Sequence, residues 1–377
     1  MRRLRLWAGM AAATAVTLAA GACSQAQSQV KPPPRRATSA PAPPPVAAPP
    51  RPLRVMPFGD SITDGLGVPG GYRSDLWQMM VADGLRPDFV GSQFGGPAPL
   101  ADKDHEGHGG WELGQLDAHA REWVVAARPD VILMHVGTND LLHNKARAAP
   151  ARFAKLLNDI TGAAPQARVF VATVIPLGDR AYAALVRHYN QAISATVRAA
   201  AAAARPVGIV NMHSALTKGD ISRDGIHPTE GGYSKMAASW YSAFRGIPLK
   251  RWEAENAGYA QVNDGERLRT PYASGNGKVG YLDDPQSFVE FALTVSAAGR
   301  YRMYVRAANG MPQPCTQRII VNGRPFGVLR YLDYGFDKWT ITATDIRLDA
   351  GHNSVRLAHD QCSAEIDAVE ISRAGQL

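Results

Sequence analysis

Between residues 53 and 247, five apolar runs alternate with helical stretches, and no other feature constrains the chain so strongly. "LRVMPFG", "DFVGSQ", "DVILMHVGTND", "RVFVATVIPL" and "VGIVNM" read as buried strands. "YRSDLWQMMVADG", "LGQLDAHAREWVVAA", "ARFAKLLNDITGAA", "AYAALVRHYNQAISATVRAAAAA" and "GGYSKMAASWYSAFRG" read as the helices between and after them. Apolar strands separated by helices predict a parallel sheet covered on both faces, a three-layer α/β/α domain. In such a domain, chemistry gathers beyond the carboxyl ends of the strands. That rule singles out Ser61 in "GDSITDG" after the first run and Asn139 in "HVGTND" after the third.

The pattern changes after about residue 250. "SFVEFALTVSAAGRYRMYVRAANG", "QRIIVNGRPFGVLRYL", "WTITATDIRLDAGHNSVRL" and "AEIDAVEIS" alternate with period two between turn residues, which predicts an antiparallel β-sandwich over 251–377. Before residue 53, the chain opens with "MRRLRLWAGMAAATAVTLAAGAC". Its basic start, short apolar stretch and small residues predict an export signal over 1–23, with Cys23 as the lipidated residue of a lipoprotein box. Residues 24–52 are rich in Pro and Ala and predict an extended tether. The expected setting is therefore the cell envelope, with the membrane reached only through the anchor.

The net charge of +8 belongs to that leader. Residues 1–54 hold eight Lys and Arg and no acidic residue, and the remaining 33 basic and 33 acidic residues cancel. This argues against a nucleic-acid-binding face. Of three cysteines, Cys315 and Cys362 remain once Cys23 is set aside, and an oxidising compartment predicts that they pair.

A serine hydroxyl becomes a useful nucleophile only when a base takes its proton and a third group orients that base. "DGIHP" supplies Asp224 and His227 in one loop, three positions apart. The oxyanion formed on attack needs preorganised donors. Asn139 offers a side-chain amide, and Gly110 in "HEGHGGW" offers a backbone N–H, with Gly109 as the alternative. The cluster His105, His108, Asp102, Asp104 and Glu106 fits no zinc spacing and reads as loop-shaping. His135 reads as a satisfied core histidine, Trp111 as packing, and His188, Tyr189 and Trp240 as helix residues that pack.

The four blocks "GDSITDG", "HEGHGGW", "HVGTND" and "DGIHP" resemble the SGNH subgroup of the GDSL hydrolases. With "GYRSDLW" and "DFVGSQ", the chain looks like carbohydrate esterase family three, the acetylxylan esterase-like branch. The resemblance implies Ser61 as nucleophile, His227 as base and Asp224 as its orienter. The Ser61 N–H, the Gly110 N–H and Asn139 then form the oxyanion hole, and no cofactor enters the chemistry. The implied substrate is an acetylated polysaccharide such as xylan. A general short-chain esterase or lipase and a non-catalytic carbohydrate-binding protein are the alternatives.

"WEAENAGYAQVND", "VGYLDDPQSFVEF" and "EIDAVEIS" resemble carbohydrate-binding modules of families six and thirty-five. This implies a galactose-binding-like jelly roll, sugar contacts at the loop-tip aromatics Tyr281 and Trp339, and a structural calcium held by Glu253, Glu255 and Asp367. Glu365 stands where many relatives have asparagine.

Overall fold

The computed structural model describes residues 51–374, so the expected leader, Cys23 and nearly all of the linker lie outside the described residues. The first half contains strands β1 Leu53–Gly59, β2 Pro87–Phe89, β3 Gln93–Phe94, β4 Asp104–Gly107, β5 Val131–His135, β6 Arg168–Ala172 and β7 Val207–Val210. Helices α1 Ser61–Asp64, α2 Tyr72–Ala82, α3 Leu113–Ala127, α4 Thr138–Leu142, α5 Ala149–Ala163, α6 Ala183–Ala202, α7 Met212–Ala215 and α8 Glu230–Arg245 connect and cover them.

The sheet runs β3–β4–β1–β5–β6–β7, with β2 also pairing to β1 and only β3 antiparallel to its neighbour. Apolar residues on both faces make it a middle layer. Phe58, Ile132 and Val171 meet Leu116, Phe153 and Ile193 on one side. Val55, Leu133 and Phe170 meet Leu76, Met79 and Trp240 on the other. In α5, Phe153, Leu156, Leu157 and Ile160 fall on one buried stripe at helical spacing.

Two features depart from the expected elements. "DFVGSQ" is not one strand; it splits into β2 and β3 around Gly91, where a side chain would collide with the His105 backbone. β4, "DHEG", is an additional strand whose polar residues gave no apolar signal.

The second half is all β, as its alternation predicts. One sheet runs β10–β11–β18–β13–β16 (Glu266–Arg269, Gly277–Gly280, Glu365–Arg373, Gly299–Ala308, Trp339–Leu348), with β8 (Lys250–Glu253) also on β18. The other runs β15–β14–β17–β12–β9 (Arg324–Tyr331, Cys315–Val321, Gly351–Gln361, Phe288–Val295, Ala260–Asn263). Phe291, Val305, Leu357 and Ile366 fill the space between them. Cys315 and Cys362 form a disulfide, Cα–Cα 5.3 Å, at the ends of neighbouring strands β14 and β17.

The described residues 51–374 lie within one unit, and the outer face of the first sandwich sheet lies on α2 and α8. Tyr304 is buried among residues of the α/β half, edge-on to Tyr241 with ring centroids 5.9 Å apart. Among the described residues, no helix is long and apolar enough to cross a membrane.

Candidate active site

β1 is where the sheet changes direction, because the chain fills positions on its β4 side before crossing to β5. Gly59, the last residue of β1, stands level with Gly107 of β4 and His135 of β5. The three segments that leave these strands therefore emerge side by side: Asp60–Ser61, His108–Gly110 and Gly137–Asn139.

Ser61 opens α1, a position whose backbone N–H has no acceptor within the helix. Asp60 caps the helix, its Oδ1 accepting from the Ile62 N–H at 3.0 Å. The turn packs so closely on β4 that a Cβ on Gly107 would stand 2.5 Å from the Asp64 nitrogen. Ser61 Oγ lies 2.8 Å from His227 Nε2, and His227 Nδ1 lies 2.7 Å from Asp224 Oδ2. With the Asp224 carboxylate accepting the Nδ1 proton, Nε2 is left to accept from the serine. Asp224 Oδ1 accepts from Ser222 Oγ at 2.7 Å, from the Ile226 N–H at 2.8 Å and from the His227 N–H at 3.0 Å. Burial works to raise the Asp224 pKa, but these bonds and the His227 ring together hold it well below the usual carboxylate range. Asp224 is thus a fixed anion against which an imidazolium can form.

Asn139 is nearly buried and donates one amide hydrogen to the Trp111 carbonyl at 2.8 Å, which leaves its second N–H free of that bond. Its neighbour Asp140 accepts from the Leu113 N–H at 2.8 Å and pairs with Arg152, tying the loop to α3. Of the two glycine candidates, Gly109 would turn a side chain toward the serine. A Cβ built on it would stand 3.9 Å from the Ser61 Cβ, whereas one on Gly110 would meet nothing within 4 Å.

One support of this site, Arg73, was not read from the sequence, and a second comes from Glu106 and His108 of the stretch expected to shape the loop. Arg73 is fully buried and donates to the carbonyls of Thr63, Asp64, Gly95 and Lys103 at 2.9–3.2 Å, binding the turn after α1 to the β3–β4 hairpin. The only signal for it was a charged residue where the helix in "GYRSDLW" turns inward. His108 Nε2 meets Glu106 Oε1 at 2.6 Å, and Glu106 accepts from the Ser92 N–H at 2.9 Å and Ser92 Oγ at 2.6 Å. The His108 ring is stacked between Trp111 and Trp123, with centroids 4.5 and 4.4 Å away. His135 is buried as expected, yet both its ring nitrogens lack a hydrogen-bond partner, and burial pushes its pKa down to about 4. Tyr189 and Trp240 are core residues, whereas His188 is exposed on α6 rather than packed.

In the sandwich, Tyr281 is exposed just after β11, in the left-handed region at φ 54°. Trp339 is not at a loop tip. It is 4 % exposed at the start of β16, with the Arg306 guanidinium 4.9 Å above its ring, because this edge of the sheet is covered by the hydrolase half. Glu365 is engaged with Lys278 at 2.5 Å.

Glu253, Glu255 and Asp367, the expected calcium set, lie near one another among basic and hydroxyl partners. Asp367 accepts from Ser274 N and Oγ at 2.8 and 2.9 Å, from Arg306 at 2.7 Å and from Arg251 at 3.4 Å, and Arg251 also lies 3.2 Å from Glu253. Glu255 alone keeps a buried oxygen without a partner. Two guanidinium groups thus stand against these carboxylates, where calcium would need six to eight converging oxygens. Among the described residues, no group of three His, Cys, Asp or Glu side chains could hold a metal ion.

An α/β/α domain with serine, imidazole and carboxylate in line at its switch point has the geometry of a serine hydrolase. Residues 58–235 match the GDSL-like Lipase/Acylhydrolase family. It is 27% identical over 281 residues to a multidomain esterase of Ruminococcus flavefaciens, covering 66% of this chain but only 35% of that protein. It is similar to a family 3 carbohydrate esterase of Clostridium thermocellum (36% identity, 51% of this chain and 95% of that one, TM-score 0.47). The second half is similar to a family 35 carbohydrate binding module of the same organism (26% identity, 33% of this chain and 98% of that one, TM-score 0.31).

Proposed function

We propose that the protein removes O-acetyl groups from a polysaccharide such as acetylated xylan. The observation that carries the reading is the unbroken line from Ser61 Oγ through His227 to Asp224, with steps of 2.8 and 2.7 Å. The family-three sequence blocks and the appended sandwich support a carbohydrate ester over a lipid one.

Ser61 Oγ attacks the acetyl carbonyl carbon as its proton passes to His227 Nε2. The carbonyl π electrons move onto oxygen, where the Ser61 N–H, a glycine N–H of the 109–110 loop and the second amide hydrogen of Asn139 meet the charge. Collapse breaks the bond to the sugar oxygen, which takes the proton from His227 and leaves an acetyl-enzyme. Water then repeats the sequence: His227 takes its proton, its oxygen attacks, and Ser61 recovers a proton as acetate departs. Asp224 keeps the Nδ1 tautomer and the imidazolium in place throughout. Export and tethering through Cys23 belong to the same proposal and bring the enzyme to an extracellular polymer.

The test is acetate release from acetylated xylan by the chain from Leu53 onward and by its Ser61→Ala variant. Release by the parent with at least a ~1,000-fold loss in the variant is expected. Cleavage of a small acetyl ester but not of xylan would remove the substrate and leave the mechanism. Equal activity of parent and variant on every ester would remove both.

A further inference from the structure

A cavity of about 140 Å³ opens at the seam between the hydrolase and the sandwich. Its walls come from both. The hydrolase contributes Pro69, Ser74, Glu230 and Tyr233, and the sandwich contributes Lys338 and Trp339. Pro69 and Lys338 are exposed and form an open rim. At ~30 Å³ per water, the space holds about five waters, which is small beside the usual pocket for a drug-sized ligand. One ring-sized polyol is the scale it accommodates.

Two buried polar atoms on this wall, Ser74 Oγ and Trp339 Nε1, have no hydrogen-bond partner. Buried donors are nearly always paired, so an unpaired couple on one cavity wall marks where a partner arrives. Glu230 adds acceptor capacity, since its contact with Arg306 is an ion pair at 3.6 Å rather than a close hydrogen bond. Lys338 adds a donor at the rim. The proline and tyrosine rings offer apolar surface between these groups. Two donors, a carboxylate, an ammonium and apolar ring faces around a ring-sized space suit a sugar, whose hydroxyls both donate and accept. The Arg306 guanidinium already covers one face of the indole, so the ligand meets the N–H edge of Trp339 rather than stacking on it.

The cavity is joined to the reacting groups through the chain. Pro69 lies in the loop hung from α1, where the Leu66 N–H donates to the Ser61 carbonyl at 3.0 Å. Tyr233 Oη donates to the Leu66 carbonyl at 3.2 Å, and Glu230 follows His227 by three residues. We propose that this seam cavity is a saccharide subsite, holding one sugar unit of the polymer between the two halves of the molecule. The inference rests on the polysaccharide reading above.

The test is calorimetric titration of unacetylated xylotetraose into the full chain carrying Ser61→Ala, and into the same chain with Trp339→Phe, Ser74→Ala or Tyr281→Ala added. Trp339→Phe removes the N–H but keeps a ring beneath Arg306, and thermal melting confirms that each variant is folded. Trp339→Phe and Ser74→Ala should each weaken binding at least fivefold. Binding unchanged in the first two, or lost only in Tyr281→Ala, would overturn the subsite, as would no binding by the parent. Because no turnover is read, the two ideas fail separately. Acetate release from xylan without xylotetraose binding would remove the subsite and leave the function. Binding through Trp339 and Ser74 without release from any polysaccharide would do the reverse.

Discussion

Asp60 stands beside Ser61 with one carboxylate oxygen committed to capping α1 and the whole side chain buried. Desolvation pushes its pKa up from the ordinary 3.8 to about 6, against the pull of the Ile62 N–H and His227. The folded value lies above the unfolded one, so the associated stability is fully present below pH 3.8 and is lost as pH rises through about 6. The span is worth on the order of 3 kcal/mol. Asp60→Asn keeps the cap, because asparagine serves that position equally well, and removes the buried charge. Its stability relative to the parent should rise by about 2–3 kcal/mol between pH 4 and pH 8, measured by urea unfolding. A difference that stays constant across that range would mean Asp60 is not ionising at a cost. The residues with direct roles in the proposed chemistry were legible because their types are chemically necessary: a hydroxyl, an amide, and an imidazole with its carboxylate, in three separate blocks. Asp60 and Arg73 were not, since capping and carbonyl-gathering depend on a backbone path that no spacing in the sequence reveals.

The same contrast appears among the elements. β1, β5, β6 and the helices announced themselves through apolar periodicity, because burial on one or both faces is what that pattern records. β4 did not, since "DHEG" buries the polar side chains of His105 and Glu106, the latter held by Ser92 and His108, where an apolar strand would bury apolar ones. Yet β4 carries the loop at Gly109–Gly110, and its geometry depends on the clamp of Glu106 on His108 between two tryptophans. The His108 N–H donates to the Gly59 carbonyl at 3.0 Å and its carbonyl accepts from the Trp111 N–H at 3.2 Å, so a displaced His108 moves both ends of that loop. Glu106→Gln keeps one acceptor oxygen for the Ser92 N–H but removes the carboxylate charge that meets His108. A hydrogen bond to a charged group contributes about 1.5–3 kcal/mol, so kcat on a small acetyl ester should fall at least ~10-fold with KM changed less than twofold. An equal rise in KM, or no change in kcat, would show that the clamp does not act on the transition state.

For the whole molecule, alternation of helices and strands followed by period-two runs was enough to divide the chain at about residue 250, but not to show that the halves share a buried face. That face is made of residues which read as ordinary surface charges: Asp75 and Asp83 on or beside α2, and Arg302 and Arg306 on β13. Trp339 was misplaced for the same reason, since a loop-tip aromatic in an isolated sandwich becomes a buried one when another domain covers it. Arg306 is the centre of the seam. It reaches Asp75 at 2.8 Å on the hydrolase side, Asp367 at 2.7 Å within the sandwich, and Glu230 at 3.6 Å. Its own burial is offset by those carboxylates and the Trp339 ring, and removing it leaves the buried Asp75 without its guanidinium partner. Replacing one partner of a buried ion pair costs about 3–5 kcal/mol, far more than a surface pair contributes. Arg306→Met preserves most of the apolar stem and deletes the charge. The parent should melt in a single calorimetric transition, because hydrolase and sandwich bury Tyr304, Ile341 and Ala343 in one shared cluster. In Arg306→Met the first transition should fall by about 10 °C, and the sandwich, stapled by Cys315–Cys362, should melt separately above it. A lone transition at the parent's temperature would mean that apolar contact, and not this guanidinium, holds the two halves together.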